Sequence, residues 1–184
     1  MNSSRPVQLN ASENVGSDFR DAMGSLATGV VMVTTSVDGV PWGMTVSACC
    51  SVSMDPPLLL ISLATQTKSA SVIQEHKYFG VSILGANSVE VARYGSAPAQ
   101  PKFIPQFCGE DVGNHQYSPA VQSSLAHLDC KLNSTIVAGD HLVMIGEVLS
   151  VRSITKDPAW DSPLLYFRRD YFSLGRLQDA LLRH

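Results

Sequence analysis

The residues with the most chemical character in this chain fall into three short segments. The first is Gly43 to Ser53, GMTVSACCSVS, where small and hydroxyl-bearing side chains stand in positions that a purely structural strand fills with bulky ones. Small side chains let a flat ligand lie against the backbone, within reach of N–H groups and the hydroxyls of Thr45, Ser47 and Ser51. Tight packing under a helix asks for the same composition, and both readings stand. The second segment is Thr65-Gln66-Thr67-Lys68-Ser69, between an apolar run and a helical pattern. A helix start offers unpaired N–H groups with partial positive charge, and hydroxyls plus a lysine complete a phosphate cradle, although plain capping also explains the Ser and Thr. The third is Gly139-Asp140-His141, where Gly and Asp are ordinary turn residues and His141 opens a strand, facing either a substrate or water. A ring-accommodating strand closely followed by a phosphate-type helix start describes a nucleotide-like ligand.

What is absent narrows the chemistry. The chain has no GxSxG, no P-loop, no GxGxxG after a strand, and no local Cys and His signature. Hydride transfer through a flavin needs none of these, because the ring carries the reactivity and the protein supplies position and electrostatics. The 5 histidines and 4 cysteines contain no HxH, HExxH or CxxC, so no intrinsic metal is expected. Cys49, Cys50, Cys108 and Cys130 are expected as reduced thiols, the adjacent pair pointing to opposite faces of a strand. His127 and Asp129 share one strand face and are expected as a satisfied surface pair.

The elements that must position these residues follow from pattern. Met1 to Gly16 is a polar arm, and residues 17–184 form a single domain in which Ser17 caps a short helix, Asp18 to Gly24. Val30 to Thr35 and Val40 to Ser53 flank Asp38-Gly39 as a hairpin, and Asp55-Pro56-Pro57 stops the second run. Leu58 to Leu63 reads as a strand buried on both faces. A helix through His76, a strand at Phe79 to Leu84 and a helix at Asn87 to Tyr94 follow. Gly95 to Pro119 is long and aperiodic, the kind of loop that is usually functional. Leu125 to Val137 and His141 to Val151 form a second hairpin, and Leu164 to Phe167, Tyr171 to Ser173 and a tail helix, Arg176 to Leu182, end the chain. This many strands joined by hairpin turns predicts a mainly β fold, a closed or nearly closed antiparallel barrel with a few short flanking helices.

Composition sets the outer limits. The chain has 184 residues, 45% hydrophobic and only 16% charged, against roughly 25% charged in ordinary soluble domains. Part of the surface is therefore expected to be covered by another subunit or a cofactor. A net charge of −3 excludes a strongly basic nucleic-acid binder. No apolar stretch is long enough to span a membrane and the polar start lacks a signal-peptide core, so a cytoplasmic address is expected.

With these residues in view, the sequence resembles the flavin reductase family with the FMN-binding split barrel, the small reductase components of two-component flavin-dependent monooxygenases. Its landmarks run in order from Asp18 to Leu174: Phe19 to Gly24, Ala27 to Val30, Gly43 to Ser47, Ser51 to Pro57, Lys102-Phe103, Gly139 to His141, Gly146 to Val148 and Pro163 to Tyr166. The resemblance implies a Greek-key split barrel, a homodimer, and use of NADH or NADPH to reduce FMN or FAD, which passes to a larger oxygenase. It implies that Met44, Thr45, Val46, Ser47, Ala48, Cys49 and Cys50 line the isoalloxazine with Thr28 near it. Ser62 and Thr65 to Ser69, among them Thr67 and Lys68, would hold the ribityl phosphate, Lys102 and Phe103 would reach its end, His141 would meet the nicotinamide nucleotide, and Tyr171 would lie close to the ring. Departures are Pro101 where an acidic residue commonly precedes Lys-Phe, Ser82 where Asn is frequent, and Arg169 where a Gly is frequent. A flavoprotein with tightly bound flavin and a non-catalytic flavin-binding protein remain the alternatives.

Overall fold

The computed structural model describes residues 15–108, 118–122, 124–153 and 162–174. The proposed arm up to residue 14 and the tail helix lie outside them. Ten strands and three α-helices occupy the described part in the order α1 (Val15–Gly24), β1 (Thr28–Gly29), β2 (Val31–Val37), β3 (Val40–Val46), β4 (Cys49–Met54), β5 (Pro57–Ala64), α2 (Lys68–His76), β6 (Tyr78–Leu84), α3 (Val89–Ser96), β7 (Ser124–Ala138), β8 (His141–Ser153), β9 (Leu164–Phe167) and β10 (Asp170–Ser173).

The strands form a seven-stranded antiparallel sheet in the order β3-β2-β6-β7-β8-β5-β4, with β1-β9-β10 as a small second sheet. The two edge strands of the large sheet, β3 and β4, are neighbours in sequence, so the sheet must curl until its edges meet. The β4–β5 ladder runs on into the connection between those edges, where Ser62 N donates to Ala48 O at 3.0 Å. One common core results, to which Val33 of β2, Val46 of β3, Ile61 of β5, Phe79 of β6, Cys130 of β7 and Met144 of β8 all contribute, with Ile73 of α2 closing one end. This is the antiparallel split barrel. A second core forms outside the barrel wall, where Val91 and Ala92 of α3 and Ile104 pack on Val30 and Met32.

Turn chemistry places the hairpins as expected. Val37 pairs with Val40 across Asp38 and Gly39, both at positive φ (52° and 76°), the corner geometry that matches strand twist. The second hairpin closes with Ala138 opposite His141.

Four expectations need correction. Val40 to Ser53 is not one strand: β3 ends at Val46 and β4 starts at Cys49, because the chain must leave one sheet edge and join the other at Ser47-Ala48. The α1 helix is already formed at Val15, so Ser17 is within it and is not its cap. Strand β5 buries one face only, with Leu59, Ile61 and Leu63 inside and Leu58, Leu60 and Ser62 half-buried, as a barrel wall with an outer surface requires. The helix expected at Asn87 to Tyr94 is a 3-10 turn, Ala86–Ser88, followed by α3 to Ser96.

Candidate functional site: a lysine-lined cavity and an adjoining groove

At the end of β5 the chain turns into α2, and Thr67 caps the helix. Its hydroxyl accepts from Ala70 N at 3.3 Å and donates to Ala64 O at 2.8 Å. The first N–H groups of a helix have no intrahelical partner, which leaves the Lys68 and Ser69 N–H groups without an acceptor in the helix. Ser69 accepts at 3.1 Å from the Trp42 indole N–H. Trp42 in turn meets Phe103 edge-on, ring centroids 5.0 Å apart, and Gly43 N donates to Lys102 O at 3.0 Å, so β3 fastens the Lys102-Phe103 segment beside the helix start. Lys102 Nζ donates to the Ala97 carbonyl, and burial lowers its pKa from the ordinary lysine value. Trp42, Met44, Thr67, Lys68, Ser69, Lys102 and Phe103 line a cavity of about 650 Å³.

The other face of β3 borders a groove. Strand residues alternate sides, so Thr45 turns away from the cavity that Met44 lines. Thr45, Ser47 and Tyr171 line one part, about 340 Å³, and Thr28, Ser47 and Ala48 line the adjoining part, about 410 Å³, with Tyr166 and Arg169 common to both. The Tyr166 and Tyr171 rings stand 5.4 Å apart across the β9–β10 pair. Helix α3 approaches β3 closely here because residue 95 is Gly: an added Cβ would strike Thr45 Oγ1 and Met32 Cε. That approach lets the Thr45 hydroxyl donate to Ala92 O at 2.7 Å, so the hydroxyl is committed to the helix and does not project as a free donor.

His141 opens β8 opposite Ala64, and Thr65 N donates to Asp140 O at 2.9 Å, which ties the hairpin tip to the turn that leads into α2. Its Nδ1 lies 2.7 Å from Asp140 Oδ1. That hydrogen bond holds the Asp140 carboxyl below the usual aspartate value, so the carboxylate accepts, Nδ1 donates, and Nε2 is left to face outward. The imidazole is 45% exposed.

The expected site residues thus divide. Thr67, Lys68, Ser69, Lys102, Phe103 and Met44 meet at the cavity, and Thr28, Thr45, Ser47, Ala48 and Tyr171 at the groove. Val46 is buried in the barrel core, and Cys49 is half-buried against it. Burial, with Cys50 adding to it, pushes the Cys49 thiol up to about 11, so it stays a neutral thiol. Cys50 and Ser51 are exposed on β4. Ser62, Thr65 and His141 stand beside these spaces without lining them. Gln66, inside the expected Thr65 to Ser69 stretch, lines the cavity as well, and Trp42, Ser96, Tyr166, Arg20 and Arg169 line these spaces without having been anticipated as site residues. Trp42 immediately precedes the small-residue run, but its link to Ser69 spans 27 positions and has no local signature.

The pair His127 and Asp129 also needs correction, for both are buried (0% and 3% exposed). They lie on the outer side of β7 under residues 118–121. His127 Nδ1 is 2.8 Å from Ser82 Oγ, Ser118 donates to Asp129 Oδ1, and Ser150 Oγ donates to Asp129 Oδ2 at 2.7 Å. Ser82 Oγ also accepts from Val121 N at 3.1 Å. Burial alone would raise the Asp129 pKa, but hydrogen bonds from His127, Ser118 and Ser150 overcome it and hold the carboxyl well below the usual range. Among the described residues no group of three or more His, Cys, Asp or Glu is placed to hold a metal ion.

Comparison with known proteins agrees with this geometry. The flavin reductase like domain matches residues 23–175. A flavin reductase (NADH) of Kitasatospora aureofaciens is 34% identical over 170 residues, 91% of this chain and 86% of that protein. The reductase component of a 4-nitrophenol 4-monooxygenase/4-nitrocatechol 2-monooxygenase from Rhodococcus opacus is 31% identical over 90% of this chain and 85% of its own. Among solved structures, the styrene monooxygenase flavin reductase of Pseudomonas putida S12 superposes with a TM-score of 0.74 at 27% identity, covering 86% of this chain and 97% of that one. A split barrel matched along most of its length by these proteins places the chain in the flavin reductase like family, as a flavin oxidoreductase.

Proposed function

We propose that the protein reduces free FMN or FAD with NADH or NADPH and releases the reduced flavin to a larger monooxygenase. The observation that carries this reading is that one stretch of backbone, Met44 to Ala48, borders both the lysine-lined cavity and the groove. The cavity suits a phosphate group and the groove suits a flat ring. Lys68, Lys102 and the donors at the start of α2 hold the phosphate, while the small side chains of Ser47 and Ala48 let the ring lie against the backbone.

When bound, the flavin supplies the redox chemistry, accepting a hydride equivalent from the nicotinamide. The chain's own residues orient and exclude water. Tyr166 and Tyr171 wall the groove, and His141, fixed in tautomer by Asp140, offers Nε2 to the incoming nicotinamide nucleotide. Cys49, held neutral, adds no competing nucleophile.

The protein acts as a homodimer in this reading. Val52 and Met54 on β4, Ile136 and Val137 on β7 and Val151 on β8 are all at least half exposed, and Ile136, Val137 and Ala138 at the end of β7 are exposed in succession. An apolar surface of that kind marks contact with another protein. Anaerobic mixing with NADH or NADPH tests the reaction: visible flavin absorbance is lost if the reading is right and persists with every donor if it is wrong.

A further inference from the structure

Two arginines from opposite ends of the chain face the same groove. Arg20 of α1 and Arg169 of the β9–β10 turn both line its larger part, with Thr28 and Ser47, and Arg169 reaches the smaller part as well. They are held together by backbone: Arg168 N donates to Gly24 O at 2.9 Å, joining the turn to the end of α1.

The turn is an unusual place for arginine. Phe167 pairs with Asp170, so Arg168 and Arg169 are its two corners, at φ of 47° and 67°. Both corners lie in the left-handed region that Gly and Asn occupy without strain. The Arg168 guanidinium lies 5.2 Å from the centroid of the Phe167 ring, a stacking contact within the turn. Arg169 has no comparable packing: its ion pair with Asp21 is 3.4 Å long, with both side chains more than two-thirds exposed. An exposed pair of that length contributes little to stability. A side chain kept in a strained conformation at a cavity wall, without an offsetting fold contact among the described residues, points to binding.

Guanidinium forks match phosphate oxygens. In a chain of net charge −3, two of them on one groove are a local device and not part of a general positive field. The flavin's own phosphate already has the lysine-lined cavity, so a second cationic site calls for a second phosphate group. We propose that Arg20 and Arg169 grip the diphosphate of an ADP-containing dinucleotide. The ADP moiety is common to nicotinamide dinucleotides and to FAD, and the inference rests on the flavin reductase reading of the groove.

The test begins with ADP as probe. Arg169→Gly removes the guanidinium and relieves the left-handed corner, so thermal stability is expected to hold or rise while ADP affinity, by calorimetry, falls about tenfold or more. Arg20→Ala should repeat the loss of ADP affinity. FMN affinity should fall by less than ADP affinity in both, the larger loss marking the second phosphate site. A raised KM for NADH with FMN as acceptor assigns the diphosphate to the nicotinamide dinucleotide, and weakened FAD binding with an unchanged KM for NADH assigns it to the flavin. ADP affinity that is unchanged in both variants, absence of ADP binding by the wild type, or a parallel fall in FMN affinity overturns the proposal. ADP binding that depends on both arginines in a protein without NAD(P)H oxidation would leave this site standing and defeat the reductase reading instead.

Discussion

His141 and the two cavity lysines carry the most specific consequences at the scale of single residues. His141 lines neither the cavity nor the groove, so its removal should not disturb flavin binding. His141→Ala is expected to slow flavin reduction by the nicotinamide about tenfold or more while the flavin Kd stays nearly constant, as measured by stopped-flow and fluorescence titration. Lys102→Ala should weaken FMN by about tenfold and leave riboflavin, which has no phosphate, unaffected. Equal losses for both flavins would place Lys102 at the ring and not at the phosphate. The helix start at Thr67 to Ser69 was legible because capping chemistry is local. Trp42 and Arg169 were not, since a tryptophan that orients a serine on a helix and an arginine that faces a distant groove depend on contacts between remote parts of the chain.

At the scale of elements, two joints hold the site's walls. The α3–β3 contact exists because Gly95 admits Thr45 and Met32, and Gly95→Ala should cost about 1–3 kcal/mol through overpacking, read by thermal unfolding. The second joint is the buried cluster that fastens residues 118–121 to β6 and β7. Because the folded Asp129 carboxyl is held below its unfolded value, near 4, its contribution to stability is complete above that value and is lost as pH falls further. Wild-type stability should therefore drop from about pH 4 downward, whereas Asp129→Asn should be destabilised by about 2 kcal/mol at pH 7 with a shallower acid limb. Pattern located nearly every strand, and hairpin turns located their ends. It missed the break at Ser47-Ala48, since a run of β-type residues looks the same whether it stays on one sheet edge or crosses to the other. It also placed His127 and Asp129 at the surface, because only the returning segment at Ser118 to Val121 buries them.

At the scale of the whole molecule, the 16% charged fraction goes with exposed apolar residues on β4, β7 and β8, which the proposed homodimer would cover. Light scattering is expected to give the mass of a dimer, and Ile136→Asp with Val137→Asp to shift it toward the monomer; an unshifted dimer would place the interface elsewhere. The barrel, the cavity and the groove then serve one reaction, in which flavin enters, is reduced and leaves. Steady-state oxidation of NADH and NADPH with FMN, FAD and riboflavin, each in large excess over protein, tests that cycle most directly. The expected result is sustained turnover, many flavins per protein, with at least one donor and acceptor pair. No turnover with any pair, or reduction that stops at one flavin per protein, would contradict it.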